Sequence, residues 1–264
     1  MNILQTIIEH KQAEIASAKQ NLPEEHLLKS PFMKRPLVSL KESLTDKRLT
    51  GIIAEFKRAS PSKGEIHPNA IIEPVIGGYA RYGATGISVL TETKFFKGSI
   101  EDFCRARAAA PNVPLLRKDF IIDEYQILES KAIGADVILL IAACLSKERT
   151  AELAKYAHSL GLEVLLEIHD ESELGHLNEH IDITGVNNRN LKDFTVDISI
   201  SRKLSTLLPD YMPKISESGI SHTDAITELK KSGFSGFLIG EHFMKVNNPV
   251  EAFCNFTHAI SLKA

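Results

Sequence analysis

From Gly51 onward, short apolar runs alternate with amphipathic segments, and this rhythm limits the fold more than any other feature of the chain. The runs lie near 51–56, 86–90, 114–118, 135–141, 163–167, 183–187, 213–217 and 236–239, with starts roughly 20 to 35 residues apart. Val137-Ile138-Leu139-Leu140-Ile141 and Phe237-Leu238-Ile239 are apolar at every position. Strands buried on both faces read that way, and such strands belong to parallel sheets. The segments between them repeat at helical spacing, most clearly over 146–160 and 221–231. Ser146 and Ser221 are the expected N-caps, with Glu148 and Asp224 in the first turns. Gly161 and Gly233 sit where helix C-caps are expected. A last helix is expected over 249–262, with Asn248 capping it and Pro249 in its first position. Eight strands, each followed by a helix, can form an open doubly wound sheet or a closed barrel. The count of eight favours an α/β fold of the (β/α)8 TIM-barrel type. No GxGxxG follows the first strand and no GxxxxGK[ST] occurs anywhere, which argues against the nucleotide-binding sheets.

The chain before Gly51 has a different rhythm. Ile3, Leu4, Ile7, Ile8 and Ile15 recur at helical spacing, with charges on the other face, until Asn21-Leu22-Pro23 ends the pattern. A second helical piece is expected near 24–28. Pro31 and Pro36 break the chain, and 37–44 reads as another short helix. Residues 1–48 are thus expected to be a helical extension of the barrel at 49–264, within a single domain.

Bulk properties exclude several functions. Against 34 acidic residues stand 31 Lys and Arg, a net charge of −3, which gives no basic surface for nucleic acid. No run of about 18 apolar residues occurs, so no membrane span is expected. Glu9, His10 and Lys11 stand where a signal peptide would need its apolar segment. Cys104, Cys144 and Cys254 form no CxxC pair, which argues against a disulfide framework or a structural zinc. The expectation is a soluble, reduced, cytoplasmic protein.

Barrel enzymes place their chemistry at the C-terminal ends of the strands. Strand one ends in Glu55 and Lys57, which leave the same face because strand side chains alternate. Strand three ends in Lys118 and strand five in Glu167. Strand six ends in Asn187, with Arg189 two residues on, and strand seven ends in Glu217 and Ser218. One such group reads as a structural ion pair. Five strands ending this way put acids and bases in one mouth, which packing alone does not explain. Opposite charges there should hold one another ionised. Desolvation should push lysine pKa values down and glutamate values up, as acid–base chemistry near neutral pH requires.

Ser218-Gly219 and Gly240-Glu241 follow the last two strands, the usual phosphate site of this barrel. Glycine lets backbone N–H groups approach an anion closely. Phe95 and Phe96, in the run 90–99 after strand two, suit either a pocket for a planar ring or a loop packed on the rim. His176 and His180 have metal-ligand spacing but read as a solvated helix face, His169 reads as a loop histidine in preference to a pocket residue, and Cys144, after strand four, reads as a small apolar residue in preference to a group of the mouth.

The motifs IIAEFKRASPSKG (52–64), VLTETKFFKGS (89–99), LLRKDF (115–120), LLEIHDE (165–171), GVNNRNL (185–191), SESGI (216–220) and FLIG (237–240) together resemble indole-3-glycerol phosphate synthase. The likeness spans essentially the whole chain, helical extension included. It implies conversion of 1-(2-carboxyphenylamino)-1-deoxyribulose 5-phosphate to indole-3-glycerol phosphate, carbon dioxide and water, in tryptophan biosynthesis, without cofactor or metal. It implies that Lys118 is the general acid for ring closure and Glu167 the acid/base of dehydration. Glu55, Lys57, Asn187 and Glu217 would complete the catalytic ring. Ser218 would bind substrate, and Phe96 and Phe120 would wall the anthranilate pocket. Arg189 would serve the substrate carboxylate or the local ion network. Ser60, Gly219, Gly240 and the backbone of Glu241 would hold phosphate. The expected partner is this small phosphosugar-anthranilate substrate, bound by a monomer.

Two alternatives differ in their strand ends. Phosphoribosylanthranilate isomerase shares the barrel but takes a cysteine at the end of strand one, where Glu55 and Lys57 stand here. A silent phosphosugar-binding barrel would have lost a member of the ring, and none is missing.

Overall fold

The computed structural model describes residues 3–191 and 193–262. Among them, eight parallel strands close into a barrel: β1 (Ile52–Phe56), β2 (Gly86–Leu90), β3 (Leu115–Lys118), β4 (Val137–Ile141), β5 (Glu163–Ile168), β6 (Ile183–Asn187), β7 (Lys214–Glu217) and β8 (Gly236–Ile239). Each strand pairs with its sequence neighbours. The last pairs with the first, Ile52 beside Phe237 and Ala54 beside Ile239, so no edge is left open.

Alternation then divides every strand between two cores. Ile53, Leu116, Val137, Leu139, Ile141, Leu165, Ile183, Ile215 and Leu238 point into the lumen and touch one another. Their neighbours, such as Ile52, Ala54, Phe56, Leu115, Ile138 and Val164, point outward and pack under the helices. Two residues beyond a lumen-facing position lies another, so the rows Ile53–Glu55, Leu116–Lys118, Leu165–Glu167 and Ile215–Glu217 run upward from apolar to charged.

The lower end is closed by the helix Leu40–Thr45, whose Leu40 and Leu44 enter the lumen cluster. Ser39 caps it, its side chain accepting from the Glu42 N–H. Glu163, at the start of β5, accepts from the N–H groups of Leu40 at 2.8 Å and Lys41 at 3.1 Å. Asp136 is fully buried just before β4. It accepts from the N–H groups of Val38 and Leu115, pairs with Arg107 at 2.7 Å, and pairs with Arg35. These bonds join the N-terminal extension to the barrel floor.

The predicted elements fall close to those observed, with three differences, the first being that the helix expected over 37–44 runs Leu40–Thr45. The helix expected over 221–231 starts at Thr223, and His222 holds the cap position without a side-chain cap bond; Ser221 instead lines the cavity above. Ser146 and Asn248 do cap their helices. After β5 there is no α-helix but a 3-10 segment, Glu171–His176, because residues 169–182 are too few for a full crossover helix and include Gly175 packed on Lys147. His176 and His180 therefore share no helix face. His176 is buried, its Nδ1 3.0 Å from Thr150 Oγ1. Among the described residues, no helix is long and apolar enough to cross a membrane.

Asp136 concentrates much of the floor's polar bonding. Replacing it with Ala leaves Arg107 buried beside an unpaired cavity, and the loss of stability should be about 3–5 kcal/mol. Chemical denaturation of Asp136→Ala against the parent protein measures it; a loss under about 1 kcal/mol would contradict this account.

Candidate active site

The mouth of the barrel holds a cavity of about 460 Å³. Each charged row described above ends in it. Lys118 Nζ lies at its centre, 2.7 Å from Glu167 Oε2 and 2.9 Å from Glu217 Oε2. Glu55 Oε1 accepts from Lys57 Nζ at 2.5 Å. Asn187 Nδ2 donates to Glu167 Oε1 at 3.1 Å, and the Asn187 Oδ1 accepts from the Arg189 N–H. Glu55, Glu167 and Glu217 are each at most 3% exposed. Two glycines make room for them. A Cβ on Gly240 would lie 2.5 Å from Glu55 Oε1, and one on Gly185 would lie 2.5 Å from Glu217 Oε1.

The charges do not shift as the simple desolvation argument expects. Burial alone would lower the Lys118 pKa, but the fields of Glu167, Glu217 and Glu55 outweigh it and hold the ammonium well above the ordinary lysine value. Burial would raise Glu167, yet Lys118 and then His169 hold it well below the usual carboxylate range. Glu217 goes the other way. Burial comes first and the charges of Glu167 and Glu55 add to it, so that despite Lys118 it rises to about 7. Its Oε1 is buried without a hydrogen-bond partner. The pairing that fixes Lys118 and Glu167 thus leaves Glu217 as the carboxyl that changes protonation near neutrality.

The other expected residues line the same cavity. Phe96 and Phe120 face each other with ring centroids 6.2 Å apart. Ser60, Ser218, Gly219, Gly240 and Glu241 lie on the β7–β8 side and the β1 loop. Ser218 and Gly219 both take positive φ, 68° and 79°. For serine this is a strained conformation. It is held by Asn188, fully buried, whose Nδ2 donates to the carbonyls of Glu217 and Ser218. The Glu241 carboxylate lies 3.6 Å from Lys63 Nζ and 3.7 Å from Arg189 Nη2, joining the loop after β1 to the loop after β6.

Several contributors escaped the sequence reading. Ile3, Leu4 and Ile7 of the N-terminal helix (Ile3–Asn21) form part of the cavity wall. Lys11, 2% exposed, pairs with Asp119 at 2.9 Å, next to Lys118. The signal was a lysine within the apolar stripe Ile7–Lys11–Ile15. His169 is in the loop after β5, as read, but is held there between Glu167 and Glu173. Glu92, fully buried, accepts from the N–H groups of Lys94, Phe95 and Phe96, which shapes the loop that carries Phe96. Among the described residues, one group, His10, Glu14 and Glu92, has metal-ligand spacing. Lys11 Nζ already stands 2.7 Å from Glu14 Oε2, and Glu92 is engaged by the loop, so a cation would displace both.

The sequence model of indole-3-glycerol phosphate synthase matches residues 4–255. An indole-3-glycerol phosphate synthase of Bacteroides thetaiotaomicron is 47% identical over 259 residues, 98% of this chain and 99% of its own. The chain belongs to the indole-3-glycerol phosphate synthase family. A relative of the same name from Salinibacter ruber is 41% identical over 96% of this chain and 94% of its own. Membership makes the chain an enzyme, a carbon–carbon carboxy-lyase of tryptophan biosynthesis acting on a small molecule. It also removes the isomerase and the silent barrel as alternatives. Solved structures of a thiamine phosphate pyrophosphorylase from Pyrococcus furiosus and a tryptophan synthase alpha subunit from Legionella pneumophila both align with TM-score 0.62. The first is 15% identical and covers 85% of this chain and 98% of its own. The second is 12% identical and covers 84% and 97%. They share the barrel fold with the synthase family.

The glycine at 240 clears the space that Glu55 occupies in the charged ring built here. Gly240→Ala should push Glu55 off Lys57 and lower kcat by about a hundredfold, the scale of a 1 Å misplacement. Steady-state kinetics on a variant whose thermal unfolding is cooperative tests it; unchanged kcat would show that Glu55 has room to spare.

Proposed function

We propose that this cavity closes the pyrrole ring of 1-(2-carboxyphenylamino)-1-deoxyribulose 5-phosphate, with Lys118 as general acid and Glu167 as the acid/base of dehydration. The observation that carries this is the placing of Lys118 Nζ within 3 Å of both Glu167 and Glu217, between an aromatic wall and a glycine-lined pocket.

The reaction joins the ring carbon that bears the carboxylate to the substrate carbonyl carbon. The carbonyl oxygen gains negative charge as that bond forms and takes a proton from Lys118. Two carboxylates hold Lys118 protonated in the resting site, so the proton moves only to an oxygen made strongly basic by the reaction itself. Loss of carbon dioxide returns its bonding pair to the ring. The new hydroxyl then leaves as water, which needs one proton delivered to oxygen and one removed from the substrate. Glu167, hydrogen-bonded to Lys118 and to Asn187, is placed for that exchange.

Glu217 Oε1, buried and unpartnered, is free to accept a substrate hydroxyl. Glu55 and Lys57 balance charge beside it. Phe96 and Phe120 take the anthranilate ring. Ser218 holds substrate, and Ser60 with the backbone N–H groups of Gly219, Gly240 and Glu241 takes the phosphate. Arg189, already beside Glu241, is available to the substrate carboxylate. No cofactor or metal enters these steps. We take the extension at 1–48 and the barrel at 49–264 as one domain, because both Lys11 and the Leu40–Thr45 helix are built into the barrel. The reading places the protein in the cytoplasm as a monomer, in keeping with three unpaired cysteines.

Purified protein should generate indole fluorescence from the anthranilate-derived substrate without added metal or nucleotide. Lys118→Ala should abolish this while a substrate analogue still binds; near-normal turnover would reject the acid assignment. Glu167→Gln should slow dehydration more than ring closure, by about a hundredfold, in single-turnover kinetics. Equal slowing of both steps would move Glu167 out of the dehydration.

A further inference from the structure

Behind Glu167 stands a pair of residues that no step above uses. His169 Nε2 lies 3.4 Å from Glu167 Oε1, an ion-pair distance at which the buried Nε2 makes no hydrogen bond, and His169 Nδ1 is hydrogen-bonded to Glu173 Oε2 at 3.3 Å. The backbone N–H of His169 also donates to Glu173 Oε2, at 2.6 Å. The imidazole is enclosed, its side chain 11% exposed. Each ring nitrogen therefore faces a carboxylate.

A neutral imidazole carries one N–H and one lone pair. Placed here it would turn that lone pair toward an anion. The imidazolium donates from Nδ1 to Glu173 and sets its positive charge beside Glu167. The local pairing agrees: Glu167 and Glu217 share the one ammonium of Lys118, and Glu173 pairs with His169. Around His169 itself stand Glu167 on β5 and Glu173 and Asp170 on the following segment, and Cys144 from the turn after β4 stands near the same two glutamates. All but the cysteine are acidic, and burial pushes the Cys144 thiol further toward its neutral form.

We propose that His169, held as imidazolium by Glu173, is a positioning residue that fixes and keeps ionised the carboxylate of Glu167. It shares Glu167 Oε1 with Asn187, which leaves Oε2 directed at Lys118. When Lys118 passes its proton to substrate, Glu167 loses its main counter-charge. His169 then supplies the second one, so Glu167 does not capture a proton before the dehydration step needs it. The direction of the histidine shift supports this: burial would lower its pKa, but Glu167 and Glu173 raise it to about 10.

The inference rests on the role given above to Glu167, and the test separates the two. The probes are His169→Gln, Glu173→Gln and Glu167→Gln, with the double variant Glu167→Gln/His169→Gln, assayed with the anthranilate-derived substrate across pH. His169→Gln should lower kcat roughly tenfold to a hundredfold, with KM within about threefold, and should move the acid limb of the kcat profile upward by about one pH unit. Glu173→Gln should shift the limb the same way by less. In the double variant, the histidine change should cost nothing further, because its effect passes through Glu167. Should His169→Gln fold poorly, imidazole added to His169→Gly takes its place, and recovery of kcat is expected. Loss of rate in Glu167→Gln alone, with His169→Gln keeping both kcat and acid limb, would overturn the positioning role and leave Glu167 standing. Additive losses in the double variant would overturn it too. Full activity in Glu167→Gln would instead remove the premise.

Discussion

Closure of β8 onto β1 is the constraint on which the rest depends. In a closed parallel barrel, alternate residues of every strand share one lumen. A charged residue two positions beyond a lumen-facing leucine or isoleucine then has nowhere to point but the mouth. Lys118 follows Leu116, Glu167 follows Leu165 and Glu217 follows Ile215 in this way. The ring of charges is thus a continuation of the packed core, and the residues beneath it give it little freedom to move.

That rigidity has an electrostatic consequence. Two carboxylates, Glu167 and Glu217, on the one ammonium of Lys118 in a half-dry space cannot all sit at their solution pKa values. Pairing decides which ones yield. Lys118 and Glu167 stabilise each other's charged forms, and Glu217, the second carboxylate on the same ammonium, absorbs the repulsion and rises toward neutrality. The site is preorganised for proton transfer because a single ammonium is shared by two carboxylates of unequal strength. Gly185 and Gly240 matter for the same reason: each clears the space in which one of those carboxylates must lie.

The N-terminal extension works at both ends of the barrel. At the floor, Leu40 and Leu44 plug the lumen while Asp136 and Glu163 bind the backbone that leads into their helix. At the mouth, Ile3, Leu4 and Ile7 line the cavity, and Lys11 reaches Asp119 beside the proposed acid. Burial would lower the Lys11 pKa, but Asp119 and Glu14 reverse that, so the charge is kept inside by its partners. Asp119 is also bound by Thr91 and Arg117, so the strand end that carries Lys118 is held from three directions.

Much of this was legible in the residue order. Strand positions follow from apolar runs of the right length, and the period of two puts Glu55 with Lys57 and lines up the strand-end charges before any coordinates are known. Caps such as Ser146 and Asn248 are local chemistry and can be read locally. What sequence alone could not supply is the set of contacts between residues far apart in the chain. The partners of Lys118, the bridge from Glu241 to Lys63 and Arg189, and the plug formed by Leu40 and Leu44 each join segments whose spacing carries no record of the meeting. The direction of the pKa shifts belongs with them. Desolvation can be guessed from an apolar flank, but whether it wins depends on distances of about 3 Å that only the closed barrel sets.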